Sequence, residues 1–432
     1  MKPYAKILQT IDTDFENALS ELRSDPIFLS QKNVYTLDDK NRIARIWIDI
    51  LWPFKRLRWI IHSLSFRSFL TFRSKNSFVV KYVAVVTYYN MVHDLQQVFW
   101  LHEEFLRQYL DDTFSENYST LARFIYHIRF YALLFYPREY FLTLQDEVDR
   151  SLAPLFARRV RAAGDIEKRF SHDRINIWYY IRYRMSLVFS WISRHGGRMM
   201  MHVHLTRRET GLIRHEHIER ILLDMEPGDV ILTRQNWAAT NLNIPWFWKH
   251  MAMYIGTGMY LKNTYTLTSI DNFRDDEHYC IESIGLWVRI IPFEMLWKHN
   301  DYLAVIRPRF SQKKKMRAIE KTLWLIGRAY DYTFNYYSDK NYVCSTLVTK
   351  AYLPESDTDE WIHITLTRIG TGITYPPNDI VKKFREDNAT ERQELDFVGF
   401  IDSSEKRQEN FISTQSEFLA TATRPRLSFF LP

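Results

Sequence analysis

Cys344 is the residue whose type and position best suit nucleophilic chemistry. It follows the turn-like run 339–341, and apolar residues return at helical spacing from Leu347 onward. The pattern therefore predicts that Cys344 begins an amphipathic helix. Free backbone N–H groups and the positive end of the helix dipole stabilise a thiolate at such a position, and the thiolate is the nucleophilic form of the side chain.

His250 and Glu282 have the side chains that would complete this chemistry. A nucleophilic cysteine needs a base within hydrogen-bond reach and a group that orients the base. His250 begins a predicted strand, where its imidazole can project into a cleft, and Glu282 lies in a later predicted strand. The distances along the chain are uninformative, so the sheet topology must bring the three side chains together.

The elements that position these residues belong to the second half of the chain. Residues 1 to about 200 keep a helical period, whereas from Glu226 onward a turn and five short apolar runs predict strands, with helices at 314–326 and after Cys344. The fold class predicted is α+β. We expect a helical domain over 1–215 that binds a membrane surface or a partner, a catalytic domain with an antiparallel sheet packed on helices over 216–402, and a polar tail over 403–432.

Composition narrows the class of protein. The 432 residues hold two cysteines, which excludes a disulfide scaffold and favours a reducing compartment. The first residues lack the apolar core of a secretory signal, and no window reaches the ~18 apolar residues of a spanning helix. We therefore expect a cytoplasmic protein, soluble or peripheral. The formal charge of +7 favours anionic partners, but nucleic-acid motifs are missing and no nucleic-acid partner is expected.

The segment 52–75 interleaves bulky apolar residues with Lys and Arg and contains no acidic residue. Such a segment can lie in a membrane interface, with cations at the headgroups and aromatic rings at the acyl boundary. It can also form a core helix with a solvated basic face, which is the more ordinary interpretation. The sequence leaves both readings open, and an anionic membrane surface is kept as a partner.

The remaining titratable clusters favour structural roles. His202, His204, His215 and His217 lie in a connector that reads as a partly exposed linker, so no metal and no cofactor is expected. Cys280 shares a strand face with Glu282, but no helix start supports it as a nucleophile. We interpret Cys280 as a structural residue.

Several runs resemble the circularly permuted NlpC/P60 hydrolases of the YiiX/YebB-like type. They are 226–232, 244–245, 249–256, 279–283, 327–334, 342–345 and 374–379, in the order of that family and over about residues 222–385. The resemblance does not extend to the N-terminal half. It implies a papain-like fold in which the sheet that bears the histidine precedes the helix that bears the cysteine.

By this resemblance Cys344 would be the nucleophile, His250 the general base and Glu282 the group that orients the imidazole. The backbone N–H of Cys344 would help to form an oxyanion hole. Thr346 stands where the family commonly has Glu, and Asn335 where it often has Asp. Neither change removes a member of the triad.

The substrate-binding residues predicted lie in an apolar loop before His250 and in two later motifs. They are Trp246, Phe247, Trp248, Tyr330, Asp331, Tyr332 and Tyr342. Asp331 and Tyr332 are expected to shape the cleft or a turn rather than to transfer protons.

The function predicted is a thiol hydrolase that cleaves an amide or ester through an acyl-enzyme on Cys344. Two substrate classes compete, peptide or isopeptide amides and lipid acyl bonds, and the loop 246–248 with the segment 52–75 favours an apolar substrate. Acyl transfer by the same Cys/His pair and an inactive membrane-surface binding module are the alternatives. The sequence leaves the oligomeric state open.

Overall fold

The computed structural model of the protein describes its N-terminal helices and most of its second half. The described residues are 2–25, 35–62, 75–100, 210–238, 244, 246–266, 272–354, 362–363, 365–369, 372–388 and 390–425. The chain divides into two compact units, Met1–Arg184 and Met185–Pro432. This division lies outside the described residues, so the predicted boundary at 215 stays a prediction.

In the first unit the described elements are all helices. They are α1 (Lys2–Ser24), α2 (Leu37–His62) and α3 (Lys75–Trp100). Thr36 and Asp39 exchange side-chain to backbone hydrogen bonds of 2.9 and 3.1 Å, which cap the start of α2. Phe54 joins the three helices, since its ring lies 5.7 Å from Phe15 and 5.0 Å from Tyr88.

The segment 52–75 falls partly within α2. Phe54 and Leu57 are fully buried there, whereas Trp52 and Trp59 are 54% and 63% exposed. Residues 63–74 lie outside the described part of the chain. Among the residues that are described, no helix combines the length and the apolar character needed to cross a bilayer.

The second unit is built on a large antiparallel sheet flanked by helices. Its elements are α4 (His215–Leu222), β1 (Val230–Arg234), β2 (His250–Thr257), α5 (Gly258–Thr264), β3 (His278–Ile284), β4 (Trp287–Pro292), α6 (Phe293–Trp297), β5 (Tyr302–Pro308), α7 (Gln312–Leu323), α8 (Cys344–Ala351), β6 (Thr367–Ile369), β7 (Gly372–Thr374), α9 (Pro377–Asp387), β8 (Leu395–Ser404), β9 (Glu409–Ser413) and α10 (Gln415–Ala420).

Seven strands form the main sheet in the order β4-β3-β2-β1-β5-β8-β9, and each neighbouring pair is antiparallel. Residues of β1, β2 and β5 are almost all buried because helices cover the centre of the sheet. The predicted α+β class, with an antiparallel sheet packed on helices, is confirmed.

The turn before β1 ties the sheet to the helix that bears Cys344. Gly228 has a φ of +98°, a left-handed conformation that favours glycine. Its carbonyl accepts a hydrogen bond from the hydroxyl of Tyr352, which caps α8 at its C-terminal end. The neighbouring Asp229 is fully buried, and its carboxylate accepts hydrogen bonds of 2.8 and 2.9 Å from the Arg307 guanidinium of β5. Thus α8 is held against the central strands at the end away from Cys344.

The prediction of a polar tail from residue 403 was wrong. Strand β8 continues to Ser404, β9 completes the sheet at its edge, and α10 packs Phe418 against Phe400 with ring centroids 5.8 Å apart. The polar residues 405–409 that suggested a tail lie in and beside the turn between β8 and β9. Charged residues are common in such hairpin turns, so this composition did not distinguish a turn from a tail.

Candidate active site

Cys344 is the first residue of α8 and is 4% exposed. The backbone N–H of Val343, the N-cap residue, donates a hydrogen bond of 2.9 Å to the Thr346 hydroxyl. Thr346, at the third helical position, therefore accepts the N-cap hydrogen bond that a Glu side chain accepts in a capping box. The departure from the family pattern at this position leaves the helix start intact. The first-turn N–H groups of α8, which begins at Cys344, have no intrahelical partners, as at the start of any α-helix.

The imidazole of His250 lies between the sulfur and a carboxylate. Its Nε2 is 2.8 Å from Oε2 of Glu282, and the Cys344 thiol hydrogen-bonds to the same ring. Strands β2 and β3 produce this arrangement because Ala252 pairs with Glu282, which places His250 and Glu282 as diagonal neighbours on one sheet face.

These contacts set the charge of both groups. Burial alone would lower the pKa of the His250 imidazole, but the hydrogen bonds and negative charges of Cys344 and Glu282 outweigh it and raise that pKa from 6.5 to about 10. Burial would raise the pKa of Glu282, yet His250 and Arg289 together hold it below the ordinary value of 4.5. At neutral pH the site thus holds an imidazolium beside an ionised carboxylate.

Arg289 is a site residue that the sequence analysis missed. It lies opposite Glu282 on β4, and its Nε and Nη2 are 2.9 and 2.8 Å from Oε1 of that carboxylate. The two carboxylate oxygens are therefore divided between Arg289 and His250. Residue type alone gave no signal for Arg289, because its role depends on the register between β3 and β4.

Tyr330 is half-buried and lies close enough to Cys344 for the charge on sulfur to act on its hydroxyl. Burial first, and that charge second, raise the pKa of the Tyr330 phenol well above 10. The hydroxyl is thus a neutral hydrogen-bond donor near the nucleophile. A bridge between Tyr330 and Tyr342 places this residue beside the strand-like segment that leads into Cys344.

Asp331, Tyr332 and Tyr342 build the walls of this region. The Asp331 carboxylate accepts hydrogen bonds from the backbone of Thr333 and Asn335 at 2.9 and 2.7 Å, and thereby closes a turn. Tyr332 donates to the carbonyl of Gly285. The carbonyl of Tyr342 accepts a bond of 2.6 Å from Ser283, which fixes the cysteine segment to β3. All three side chains are buried, and their predicted contact with a substrate stays a prediction.

The prediction that Phe247 and Trp248 bind substrate was wrong. Both are fully buried, because the Phe247 ring packs on Tyr302 at 5.0 Å and the Trp248 indole packs on Phe400 at 5.9 Å. The Trp248 Nε1 also donates to the Thr421 hydroxyl at 2.8 Å. These rings anchor the segment that leads into His250 and cannot contact a substrate.

Trp246 differs from its two neighbours. It is half-buried, has a φ of +62°, and the Lys382 ammonium lies 3.6 Å from the centre of its ring. The left-handed backbone turns this side chain away from the core into which the next two rings pack. Trp246 is therefore the member of the loop that keeps access to solvent.

Asn378 gives the segment 374–379 a structural role. Its side-chain oxygen accepts a hydrogen bond of 3.3 Å from the Trp248 backbone, and its amide donates to the Ala422 carbonyl at 2.9 Å. The motif thus connects the loop before His250 to the C-terminal segment, and positions the base indirectly.

The other clusters have no part in this site. Cys280 is fully buried, and burial raises the pKa of its thiol well above 9, which suits a structural residue. His215 is exposed, and His217 hydrogen-bonds to Asn410 at 2.8 Å. His202 and His204 lie outside the described residues. Among those that are described, no group of three His, Cys, Asp or Glu side chains could hold a metal ion.

A comparison with protein-family models agrees with the sequence resemblance. Residues 224–393 match the model of a family described as permuted papain-like amidase enzymes, YaeF/YiiX, C92 family. The crystal structure of the metalloprotein YiiX from Escherichia coli O157:H7 is similar at 19% identity, with a TM-score of 0.23 over 30% of this chain. The matched part spans 65% of the length of that protein. No curated protein matches.

Proposed function

We propose, from the match of residues 224–393 to the model of the permuted papain-like amidase family, that the protein is a thiol hydrolase acting through an acyl-enzyme on Cys344. One observation carries this proposal. The His250 imidazole lies between the Cys344 thiol and the Glu282 carboxylate, with 2.8 Å from Nε2 to Oε2. A nucleophile, a base and an orienting group in contact are the requirements of this chemistry.

In the first half of the reaction the Cys344 thiolate attacks the carbonyl carbon of the substrate, and a C–S bond forms. The carbonyl oxygen becomes an oxyanion, to which the Cys344 backbone N–H and the Tyr330 hydroxyl donate hydrogen bonds. The His250 imidazolium then gives its proton to the leaving nitrogen or oxygen as the bond to that atom breaks. Glu282 keeps the imidazole oriented throughout.

In the second half a water molecule attacks the thioester. His250, now neutral, takes a proton from that water, and the C–S bond breaks to release a carboxylic acid and restore the thiolate–imidazolium pair. If an acceptor other than water attacked the same thioester, the acyl group would be transferred to that acceptor. The bond cleaved is an amide or an ester, of a peptide or of a lipid acyl group.

A membrane-surface binding module is the second candidate function. It is supported by the two tryptophans of α2 that are more than half exposed, Trp52 and Trp59, beside the basic residues of the segment 52–75. Aromatic and basic residues on one helix suit a membrane interface. In this case the thiol site would be inactive, and the protein would have no turnover.

Thiol labelling separates these two functions. With iodoacetamide at neutral pH we expect selective modification of Cys344, since Cys280 is fully buried and burial raises the pKa of its thiol. Peptide mass mapping of the labelled chain measures the selectivity, and Cys344→Ser is the control that should remain unlabelled. Slow and equal labelling of both cysteines would favour the binding module. A substrate screen of wild type against Cys344→Ala then identifies the bond cleaved.

Arg289→Met is expected to reduce kcat/KM roughly tenfold, because it removes a charged hydrogen-bond partner that is itself part-exposed. The loss of Arg289 also raises the pKa of Glu282, whose carboxylate is present above that pKa and protonates as the pH falls through it. The acid limb of the activity profile should therefore move to higher pH.

The matched control is Arg309→Met, because Arg309 makes a 2.7 Å ion pair with Asp396 away from the site. Its profile should equal that of wild type. An Arg289→Met enzyme with an unmoved acid limb would show that Arg289 does not act through Glu282.

A further inference from the structure

Four exposed apolar side chains lie on or next to two paired backbone segments of the second unit. Leu286, Trp287, Trp324 and Ile326 are 46%, 49%, 72% and 38% exposed, and we call them the apolar strip. Single exposed apolar residues are ordinary on a protein surface. Two tryptophans and two aliphatic residues exposed on or beside paired backbone segments are unusual enough to suggest an interaction site.

Backbone hydrogen bonds hold the two segments of the apolar strip side by side. The N–H of Tyr330 donates to the Leu286 carbonyl at 3.0 Å, and that of Val288 donates to the Arg328 carbonyl at 2.8 Å. Trp287 forms a bridge with Ala329 between these two bonds. The segment 327–330, which follows directly after Ile326, thus runs beside the start of β4.

The apolar strip adjoins the thiol site on the same backbone framework. Tyr330 forms a bridge with Tyr342, which lies two residues before Cys344. On the edge strand β4, Trp287 and Arg289 point to one face, since side chains alternate along a strand, and Arg289 pairs with Glu282 across the sheet. Trp287 therefore shares a sheet face with the carboxylate of the site.

The helix that leads to the strip is strongly basic. Within α7 there are five basic residues and one acidic residue, a net charge of 5 − 1 = +4. Of the five basic residues, Lys315 is buried and ion-paired with Glu226. Lys313, Arg317 and Trp324 recur at intervals of four and seven residues, all of them exposed, so they share one solvent-facing stripe. The exposed Arg328 extends this charge towards Tyr330.

We propose that the apolar strip and the basic stripe of α7 together dock the second unit on an anionic lipid membrane. Tryptophan prefers the boundary between headgroups and acyl chains, while lysine and arginine bind anionic headgroups. Charge complementarity favours an anionic membrane over an uncharged protein face. The substrate class that follows is a lipid acyl bond at the membrane surface, and this part rests on the proposed function. Docking itself does not require turnover.

Vesicle co-sedimentation of the full chain tests the docking surface. The vesicles are phosphatidylcholine with about a third phosphatidylserine, and phosphatidylcholine alone is the reference. We expect retention on the anionic vesicles that weakens at about 0.5 M NaCl. Trp287→Ala with Trp324→Ala should reduce the affinity roughly tenfold. Trp324→Ala alone, at the more exposed position, should give a smaller loss and guards against a folding defect in the pair.

Two control variants locate the binding surface. Leu223→Ala removes an apolar side chain that is 85% exposed elsewhere on this unit and should bind as wild type. Trp52→Ala with Trp59→Ala removes the exposed rings of α2. Loss of retention only in the strip variants, or in both pairs, supports the docking surface, whereas loss only in the α2 pair overturns it.

The other outcomes of these experiments also support or overturn the docking surface. Absence of retention on anionic vesicles overturns the inference, as does equal retention on phosphatidylcholine alone. A dimer in solution that the Trp287/Trp324 pair converts to a monomer, without vesicle retention, would assign the strip to a second copy of the chain instead. Cys344→Ser should be retained on the vesicles as wild type is, because docking does not need the thiol. A wild-type protein that docks but turns over no substrate would refute the proposed function and leave the docking surface standing.

Discussion

Replacing His250 with alanine is expected to reduce turnover between about 10⁴-fold and 10⁶-fold, the range seen when a member of a catalytic triad is removed. The imidazole contacts both Cys344 and Glu282 and is held as a cation by them, with its pKa raised to about 10. Without it the sulfur loses its stabilising charge and the leaving group loses its proton donor. The measurement is kcat on the substrate that the screen identifies.

Three comparisons make this result specific. Cys344→Ser with His250→Ala should be hardly worse than either change alone, because residues that act as a unit are not additive. Glu282→Gln should cost less, since it keeps a hydrogen-bond acceptor for the imidazole. An enzyme that retains most of its turnover after His250→Ala would have a different base, and the proposed mechanism would fail.

The same contact predicts the alkaline side of the pH profile. The imidazolium is present below its pKa and is lost as the pH rises through about 10. The activity of the wild type should therefore stay level through pH 8 and fall near pH 10. A fall near pH 6.5, the ordinary pKa of His, would mean that Cys344 and Glu282 do not hold the proton on the ring.

Trp248→Ala is expected to lower the free energy of unfolding by about 3–5 kcal/mol, the usual cost of truncating a fully buried aromatic side chain. The indole packs on Phe400 and Phe418 at 5.9 and 6.0 Å, and it donates a hydrogen bond to Thr421. The variant loses these contacts and leaves the Thr421 hydroxyl without this donor. For a unit of this size the midpoint of thermal unfolding should fall by roughly 10 °C, which circular dichroism measures.

The matched control is Trp324→Ala, the same truncation at a position that is 72% exposed. Its stability should stay within about 0.5 kcal/mol of wild type. A Trp248→Ala protein of unchanged stability but raised KM would contradict the buried position of Trp248. It would support the prediction that this side chain contacts the substrate.

The local pattern of the sequence determined the kind of element around each reactive residue. A turn followed by apolar residues at helical spacing predicted that Cys344 begins a helix, and α8 does begin there. The apolar run from His250 predicted a strand that starts at the histidine, and β2 has that start. These features depend on residues within a few positions of each other, so the sequence contains all that is needed to predict them.

Only the tertiary structure decided which side chains meet. Arg289 contacts Glu282 because β3 and β4 pair in one register, and a shift by one residue would turn Arg289 to the other face. Trp248 is buried because Phe400 of β8 and Phe418 of α10 pack against it, and Phe247 is buried because it packs on Tyr302 of β5. Register and burial arise from contacts between residues far apart in the chain, and a local pattern carries no record of them.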